Sequence, residues 1–330
     1  MKPGFTRMMV IWSALLLAAT GAWGAEKLKP VTLLPQWVPQ AQFAGYYMAL
    51  EKGFYRSRGI DLTIIDGGPK RPAGNFLTEK HADFVTLWLS TALQMWDQGA
   101  RVVNIGQTSQ RSALMMVALK KSGILHPADM NKKRVGLWGE IFRIQPEAFF
   151  RQYTLDVTIV PQSYSIHLFL RGGVDVASCM WYNEYHTILN SGINPDELTP
   201  FFFHEHGLNY PEDGIYTLED TWRRDPGLCL DFAAASMAGW QYAFEHVEEA
   251  LDLIMIQLKQ AHIPATRVHQ RWMLERMRDL ILPSGQPEGM GCLSQKDFDR
   301  VTTGLKQNAL IRESPPFSDF YRGECRHDEK

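Results

Sequence analysis

Residues 31–65 read VTLLPQWVPQAQFAGYYMALEKGFYRSRGIDLTII. The apolar run Val31–Leu34 predicts a strand. Pro35 and Pro39 stiffen the loop after it, and Trp37 stands between them. From Gln42 to Lys52 the apolar residues recur at helical spacing, with Gly53 available to end the helix. Ile60–Ile65 alternates and is rich in β-branched residues, which predicts a second strand. Strand, helix and strand in this order form a crossover unit of an α/β sheet.

The alternation continues outward. Asn75–Lys80 reads as a helix, Asp83–Thr86 as a strand, Thr91–Gln98 as a helix closed by Gly99, and Val102–Ile105 and Leu114–Leu119 as strands. A second unit starts near Lys120. It holds strand Arg134–Trp138, helix Gln145–Tyr153, strand Val157–Val160, a short helix Ile166–Arg171, strand Val174–Met180 and helix Asn183–Asn190. Leu198–Phe203 predicts a further strand, and Ile215–Leu218 one that returns to the first unit. The remainder is helical: Cys229–Phe244, Val247–Leu258, Val268–Leu282 and Ser294–Gln307, the last with Ser294 and Asp297 placed for capping. No repeat or low-complexity linker separates the units. The expected class is α/β, with two units packed around a cleft and a helical C-terminal region.

The 330 residues are 45% hydrophobic and 21% charged. That composition buries a sizeable core and excludes disordered, collagen-like and coiled-coil chains. Net charge is −2, so no basic excess points to nucleic acid as the main partner. Lys2 and Arg7 precede the apolar run Met8–Ala19, and Thr20–Ala25 is rich in small residues. This is the layout of a secretory signal peptide spanning residues 1–24, with cleavage after Gly24. The alternative is an uncleaved anchor, but a span takes about 20 apolar residues. No cysteine follows the run, which argues against a lipoprotein. The mature chain is therefore expected to be exported. Cys179, Cys229, Cys292 and Cys325 form no CxxC pair. Export permits a disulfide, and Cys292 with Cys325 could clip the C-terminal tail; four free or buried thiols are an equally open alternative.

Four strand ends carry a tryptophan. Trp37 follows the first strand, with Phe43, Tyr46 and Tyr47 nearby. Trp88 precedes Ser90 and Thr91, Trp138 precedes Gly139 and Glu140, and Trp181 precedes Tyr182, Asn183 and Glu184. Indole and phenol faces can sandwich a flat ring while Asn, Glu and Ser hold its edge; a cationic ligand could also sit over them. The competing reading is core packing, the better one for any single tryptophan; taken together, the set favours a ligand pocket. Glu140 and Glu184 can be read as an acid/base pair, or Glu184 as a helix cap or a ligand acceptor; catalysis is the less favoured option. Gly67–Arg71 reads as a solvated turn and matches no phosphate-loop pattern. His204-Glu205-His206 offers two metal donors without a third, and reads better as a polar loop entering a hinge. No GxSxG or HExxH motif is present.

Several of these residues belong to a familiar order of motifs. Trp37-Val38-Pro39, Phe43-Ala44-Gly45-Tyr46-Tyr47, Ala49 to Tyr55, Gly59-Ile60-Asp61-Leu62, Ala82-Asp83-Phe84, Asn183-Glu184-Tyr185 and Gly239 to Ala243 resemble the ABC-transporter substrate-binding proteins of the thiamine-pyrimidine-precursor class. The likeness runs from about Val31 to Leu310 and rests on order and spacing rather than on any single motif. It implies a type II periplasmic-binding fold, with residues 25–115 and 214–330 in one lobe and 116–213 in the other. It places the chain crossings near Ala113–Lys121 and Leu208–Thr217. It further implies a periplasmic protein that hands a small molecule to an ABC permease and its ATPase at the inner membrane, with no cofactor and no catalysis. A pyrimidine-like thiamine precursor is the ligand implied first, and related proteins take sulfonates. Pyrimidine-precursor binders often show Asn and His in the first aromatic loop, where this chain has Gln40 and Phe43. Two other outputs share the frame: ligand sensing through a receptor, and an enzyme that makes the thiamine pyrimidine. The enzyme's Lys and His positions fall on Leu87 and Thr91, which can replace neither.

Overall fold

The computed structural model describes residues 28–325, apart from 284 and 286–288. The expected signal peptide lies outside the described residues. In chain order the strands are β1 (Lys29–Leu34), β2 (Ile60–Ile64), β3 (Phe84–Leu87), β4 (Val102–Gln107), β5 (Leu114–Leu119), β6 (Arg134–Leu137), β7 (Thr158–Pro161), β8 (Val176–Met180), β9 (Leu198–Phe202) and β10 (Gly214–Leu218). The α-helices are α1 (Ala44–Glu51), α2 (Ala73–Thr78), α3 (Leu89–Asp97), α4 (Ile144–Gln152), α5 (His167–Leu170), α6 (Glu184–Asn190), α7 (Glu219–Arg224), α8 (Pro226–Glu245), α9 (Val247–Gln260), α10 (Arg267–Ile281), α11 (Gln295–Gln307) and α12 (Phe317–Phe320).

The strands form two five-stranded sheets, ordered β2-β1-β3-β10-β4 and β7-β6-β8-β5-β9. In the first, β1 runs parallel to both neighbours, with Leu33 opposite Ile64 on one side and Phe84 on the other. In the second, β6 lies parallel to β7 and β8. The fourth strand of each sheet is antiparallel: β10 pairs with β3 and β4, and β5 pairs with β8 and β9. Each of these strands follows a crossing. The chain leaves the first sheet after Gln107 and enters the second at Leu114; it leaves the second after Phe202 and re-enters the first at Gly214. Two open α/β sheets joined by two crossings make the type II periplasmic-binding fold that the resemblance implied.

The central strands β3 and β8, and the covered edge strand β4, are buried at every position. This is why they show no polar alternation, while the edge strand β2 alternates. The C-terminal helices complete the first unit. Helix α8 lies along α1, α11 packs on α3, and α12 packs on β4. Glycines bring α8 and α1 together: a Cβ on Gly239 would stand 2.1 Å from the Gly45 carbonyl oxygen. Cys292 and Cys325 form a disulfide, whereas Cys179 and Cys229 are free and buried. The Ser294 hydroxyl caps α11 by accepting from the Asp297 N–H at 3.1 Å.

Most boundaries shift by one to three residues, Leu114–Leu119 joins the second sheet although that unit was expected to start near Lys120, and two shifts have a visible cause. The helix expected from Gln42 begins at Ala44, after a 3-10 turn Ala41–Phe43. The Gln42 side chain and N–H are drawn instead to Asp213 and Met273. The strand expected from Val174 begins at Val176, because the Asp175 carboxylate takes the Arg134 N–H and guanidinium and ends a turn there.

Candidate ligand-binding site

The segments that follow β1, β3, β6 and β8 meet across the cleft and line one cavity of about 340 Å3. Crevices at the carboxyl ends of α/β strands are the usual ligand sites of such sheets. Six of the eleven expected residues line it: Trp37, Trp88, Thr91, Trp138, Asn183 and Glu184. The aromatic rings join the two units edge to face. Trp37 of the first unit meets Tyr164 of the second at 5.0 Å between ring centroids, and Trp88 meets Phe142 at 5.0 Å. Phe142 in turn meets Trp138 at 5.3 Å, and the Trp138 indole N–H donates to the Ser163 carbonyl at 2.9 Å.

Four expected residues lie elsewhere. Phe43 and Tyr46 are wholly buried on the core side of the loop and of α1; Tyr46 packs on Trp240 and its hydroxyl meets that of Thr108 at 3.0 Å. The helical face that carries them faces α8 rather than the cleft. Ser90 is buried behind the cavity wall in the first turn of α3, one residue before Thr91. Trp181 is turned away. Successive strand residues point to opposite sides, so Met180 and Tyr182 line the cavity while Trp181 packs against Phe202 and beneath Arg276. Glu140 opens a 3-10 turn, Glu140–Arg143; its side chain lies outside the described residues.

Sequence reasoning missed Gln36 and Gln42, and reached Gln40 only through the resemblance. Gln36, Gln40 and Gln42 all line the cavity, as do Gly68 and Pro69 of the turn read as solvated. Asp213, in the return crossing, takes the amide N–H of Gln36 on one oxygen and that of Gln42 on the other, at 2.8 Å for the latter. Gln40 donates to the Gln42 carbonyl at 2.6 Å. One N–H of each amide is thus engaged, leaving the carbonyl oxygens of Gln36 and Gln40, and a second N–H on each amide, for a ligand. Thr91 adds a buried hydroxyl with no hydrogen-bond partner. Three glutamines within one strand-to-helix loop were the only signal in the sequence, and an uncharged amide is easily read as surface.

Glu184 is the one charged side chain among the described residues that line the cavity. It starts α6 and is buried. It accepts from the Met180 N–H at 3.0 Å and from the Asn183 amide at 2.8 Å, which leaves acceptor capacity on both oxygens. Burial pushes its pKa up to about 7, against the pull of those donors. Behind the cavity, Glu212 bridges the crossings, accepting from the Ser112 hydroxyl at 2.7 Å and the Ala113 N–H at 3.0 Å. Burial, then the neighbouring Asp213, raises Glu212 to about 8; burial raises Asp213 to about 6. His204 to His206 fall in the return crossing, as the polar-loop reading expected, and His206 meets the Tyr153 hydroxyl at 2.7 Å. No group of three metal-ligating side chains occurs among the described residues.

The model of the family described as NMT1/THI5 like matches residues 40–250. The chain belongs to the NMT1/THI5-like family. Among curated relatives, the riboflavin-binding protein RibY of Chloroflexus aurantiacus is 24% identical over 245 residues, which are 72% of this chain and 68% of the relative. Among solved structures, the aliphatic sulphonate-binding protein SsuA of Escherichia coli superposes with a TM-score of 0.66 at 14% identity, covering 88% of this chain and 91% of that one. The alkanesulfonate-binding protein SsuA of Xanthomonas axonopodis pv. citri, bound to MOPS, gives 0.62 at 13% identity, with 89% and 98% covered. The desulfurization enzyme DSZB gives 0.58 at 15%, with 89% and 97% covered. These structural likenesses show the fold, and that fold carries both binders and an enzyme. This member of the family has the fold of the periplasmic solute-binding proteins. Leu87 and Thr91, where the resemblance places the Lys and His of the thiamine-pyrimidine enzyme, both line the cavity as an apolar and a hydroxyl side chain.

Proposed function

We propose that this NMT1/THI5-like chain works in the periplasm as the solute-binding component of an ABC importer, and that its solute is a flat, neutral heterocycle bearing N–H or O–H donors. The carrying observation is the make-up of the cavity. Trp37, Trp88, Trp138 and Tyr182 supply ring faces from both units, and the one charged group is an acceptor, Glu184, joined by the carbonyls of Gln36 and Gln40 and by the amide N–H groups and Thr91 hydroxyl beside them. A ring that stacks on indoles and points donors at these acceptors leaves no buried acceptor unpaired. The pyrimidine of thiamine meets that description, and so does riboflavin, the ligand in the curated relative's name. A sulfonate meets it poorly, because its anion would face Glu184 with no cation among the described lining residues. The two sheet units act as the lobes that close on the solute.

Tryptophan fluorescence and thermal-shift titrations test this directly. The aminopyrimidine alcohol precursor of thiamine and riboflavin are compared with an aliphatic sulfonate. Quenching and a raised melting temperature with at least one neutral heterocycle are expected, followed by recovery of the ligand unchanged by mass spectrometry. Binding of the sulfonate alone would overturn the proposed ligand class, and consumption of the ligand would overturn the binding role.

A further inference from the structure

Helix α10 touches both rims of the cavity from outside. On one side, Gln270 accepts the Ala41 N–H at 2.8 Å and the Met273 sulfur accepts the Gln42 N–H at 3.3 Å, so α10 holds the backbone of the glutamine loop. On another face, His269, Trp272 and Arg276 reach the second unit. Trp272 stacks on His186 at 4.8 Å with its ring 9° from parallel, and its indole N–H donates to the Trp181 carbonyl at 3.0 Å. Arg276 lies over both Trp181 and Trp272.

A chain of hydrogen bonds runs from this clasp into the cavity. The Asn183 amide nitrogen meets Glu184 Oε1 at 2.8 Å. The Asn183 carbonyl Oδ1 meets His269 Nε2 at 2.8 Å, and His269 Nδ1 meets His186 Nδ1 at 2.9 Å. An amide has one donor end and one acceptor end. With the donor end on the Glu184 carboxylate, Asn183 must accept from an Nε2–H on His269. The neutral His269 ring then has a bare Nδ1, which must accept from an Nδ1–H on His186; the Asn190 amide, 3.2 Å from that same His186 nitrogen, must then turn its carbonyl oxygen rather than its N–H toward it. The carboxylate in the cavity therefore dictates the tautomer of two histidines outside it.

We propose that His269, outside the cavity, is a positioning residue of the ligand site: by donating to Asn183 it holds the Asn183–Glu184 pair as a preset acceptor and ties that pair to the contact between α10 and the second unit. This rests on the reading of Glu184 as a ligand contact. Burial lowers the pKa of both histidines, in keeping with neutral rings. Without His269 the Asn183 amide is free to turn and Glu184 loses its fixed orientation, so a ligand must order both on binding.

Nitrogen-15 NMR of histidine-labelled apo protein tests the tautomers without any ligand. His269 should carry its proton on Nε2 and His186 on Nδ1. A proton on Nδ1 of His269 would overturn the proposal, whatever the protein binds. In the second arm, the probes are riboflavin and the thiamine aminopyrimidine. His269→Ala should weaken the probe that binds by about tenfold, the loss of one well-made hydrogen bond. His269→Gln, whose amide N–H can reach Asn183, should restore affinity to within about threefold. Asn183→Ala should weaken binding equally, and the double variant His269→Ala/Asn183→Ala no further. Additive losses, or no rescue by glutamine in a protein that melts like the wild type, would count as refutation. If neither probe binds the wild type, the ligand class fails, and the tautomer assignment still decides the proposal.

Discussion

The two sheets share one strand order and differ in what they bring to the cleft. Relabelled in their own chain order, both run second, first, third, visiting antiparallel strand, fourth. In both, the segments after the first and third strands form the cavity wall: Trp37 and Trp88 in one unit, Trp138 and Tyr182 in the other. The polar chemistry departs from this symmetry. The first unit offers amides anchored on a buried aspartate, and the second offers a carboxylate aimed into the cavity. The first is also braced by the C-terminal helices and a disulfide. A shared topology thus sets where ligand-facing residues stand, and the loops decide what they can recognise.

The crossings give the largest expected effect. Glu212 and Asp213 have native pKa values raised above those of the unfolded chain, so the native state binds more protons. That stability is fully present below the unfolded carboxyl pKa and is lost as pH rises through about 6 and then about 8. The slope is about 1.4 kcal/mol per pH unit for each excess proton. Urea midpoints between pH 5 and 8 should fall, and Glu212→Gln should flatten the profile at its alkaline end. A flat wild-type profile would show that the crossings hold ionised carboxylates at no cost to either unit.

Next comes the brace on the first unit. Cys292 and Cys325 are 33 residues apart, and their replacement by serine should cost about 3 kcal/mol of stability. Ligand affinity should stay put, because neither cysteine lines the cavity. A parallel loss of affinity would mean that the bracing reaches across the cleft.

At the cavity, the two kinds of polar wall can be weighed against each other. Glu184→Ala should weaken binding of a donor-bearing heterocycle by about 2 kcal/mol, and Gln36→Ala by about 1 kcal/mol, as for a charged and a neutral acceptor. Equal losses in isothermal titration would erase the contrast between the units. The smallest effect separates two tryptophans: Trp37→Ala should cost about 1 kcal/mol of affinity, whereas Trp181→Ala should lower the melting temperature and leave affinity within about twofold.

Much of the fold was legible because local patterns carry it. Leu114–Leu119 read as a strand since a strand buried on both faces is apolar throughout, and the helices before Gly53 and Gly99 end at Glu51 and Asp97, within two residues of those glycines. The site was half legible. Tryptophans at strand ends pointed to the right four loops, but the side of the chain that each ring takes depends on where the last strand residue sits. One position of phase turned Trp181 outward and Tyr182 inward. Phe43 and Tyr46 looked like site residues by proximity in sequence, yet helix α8, some two hundred positions on, claimed that face for the core.

Alternation of short apolar runs with helical spacing determined the α/β class, the two units and the aromatic loops, since those features follow from backbone periodicity and burial over a few residues. Tertiary structure alone decided that β5 (Leu114–Leu119) pairs in the second sheet, that Gln36 and Gln42 share Asp213, and that a histidine on α10 reaches the Asn183–Glu184 pair. Each joins residues far apart in the chain, and hydrogen bonds of that kind leave no period behind them in the order of the amino acids.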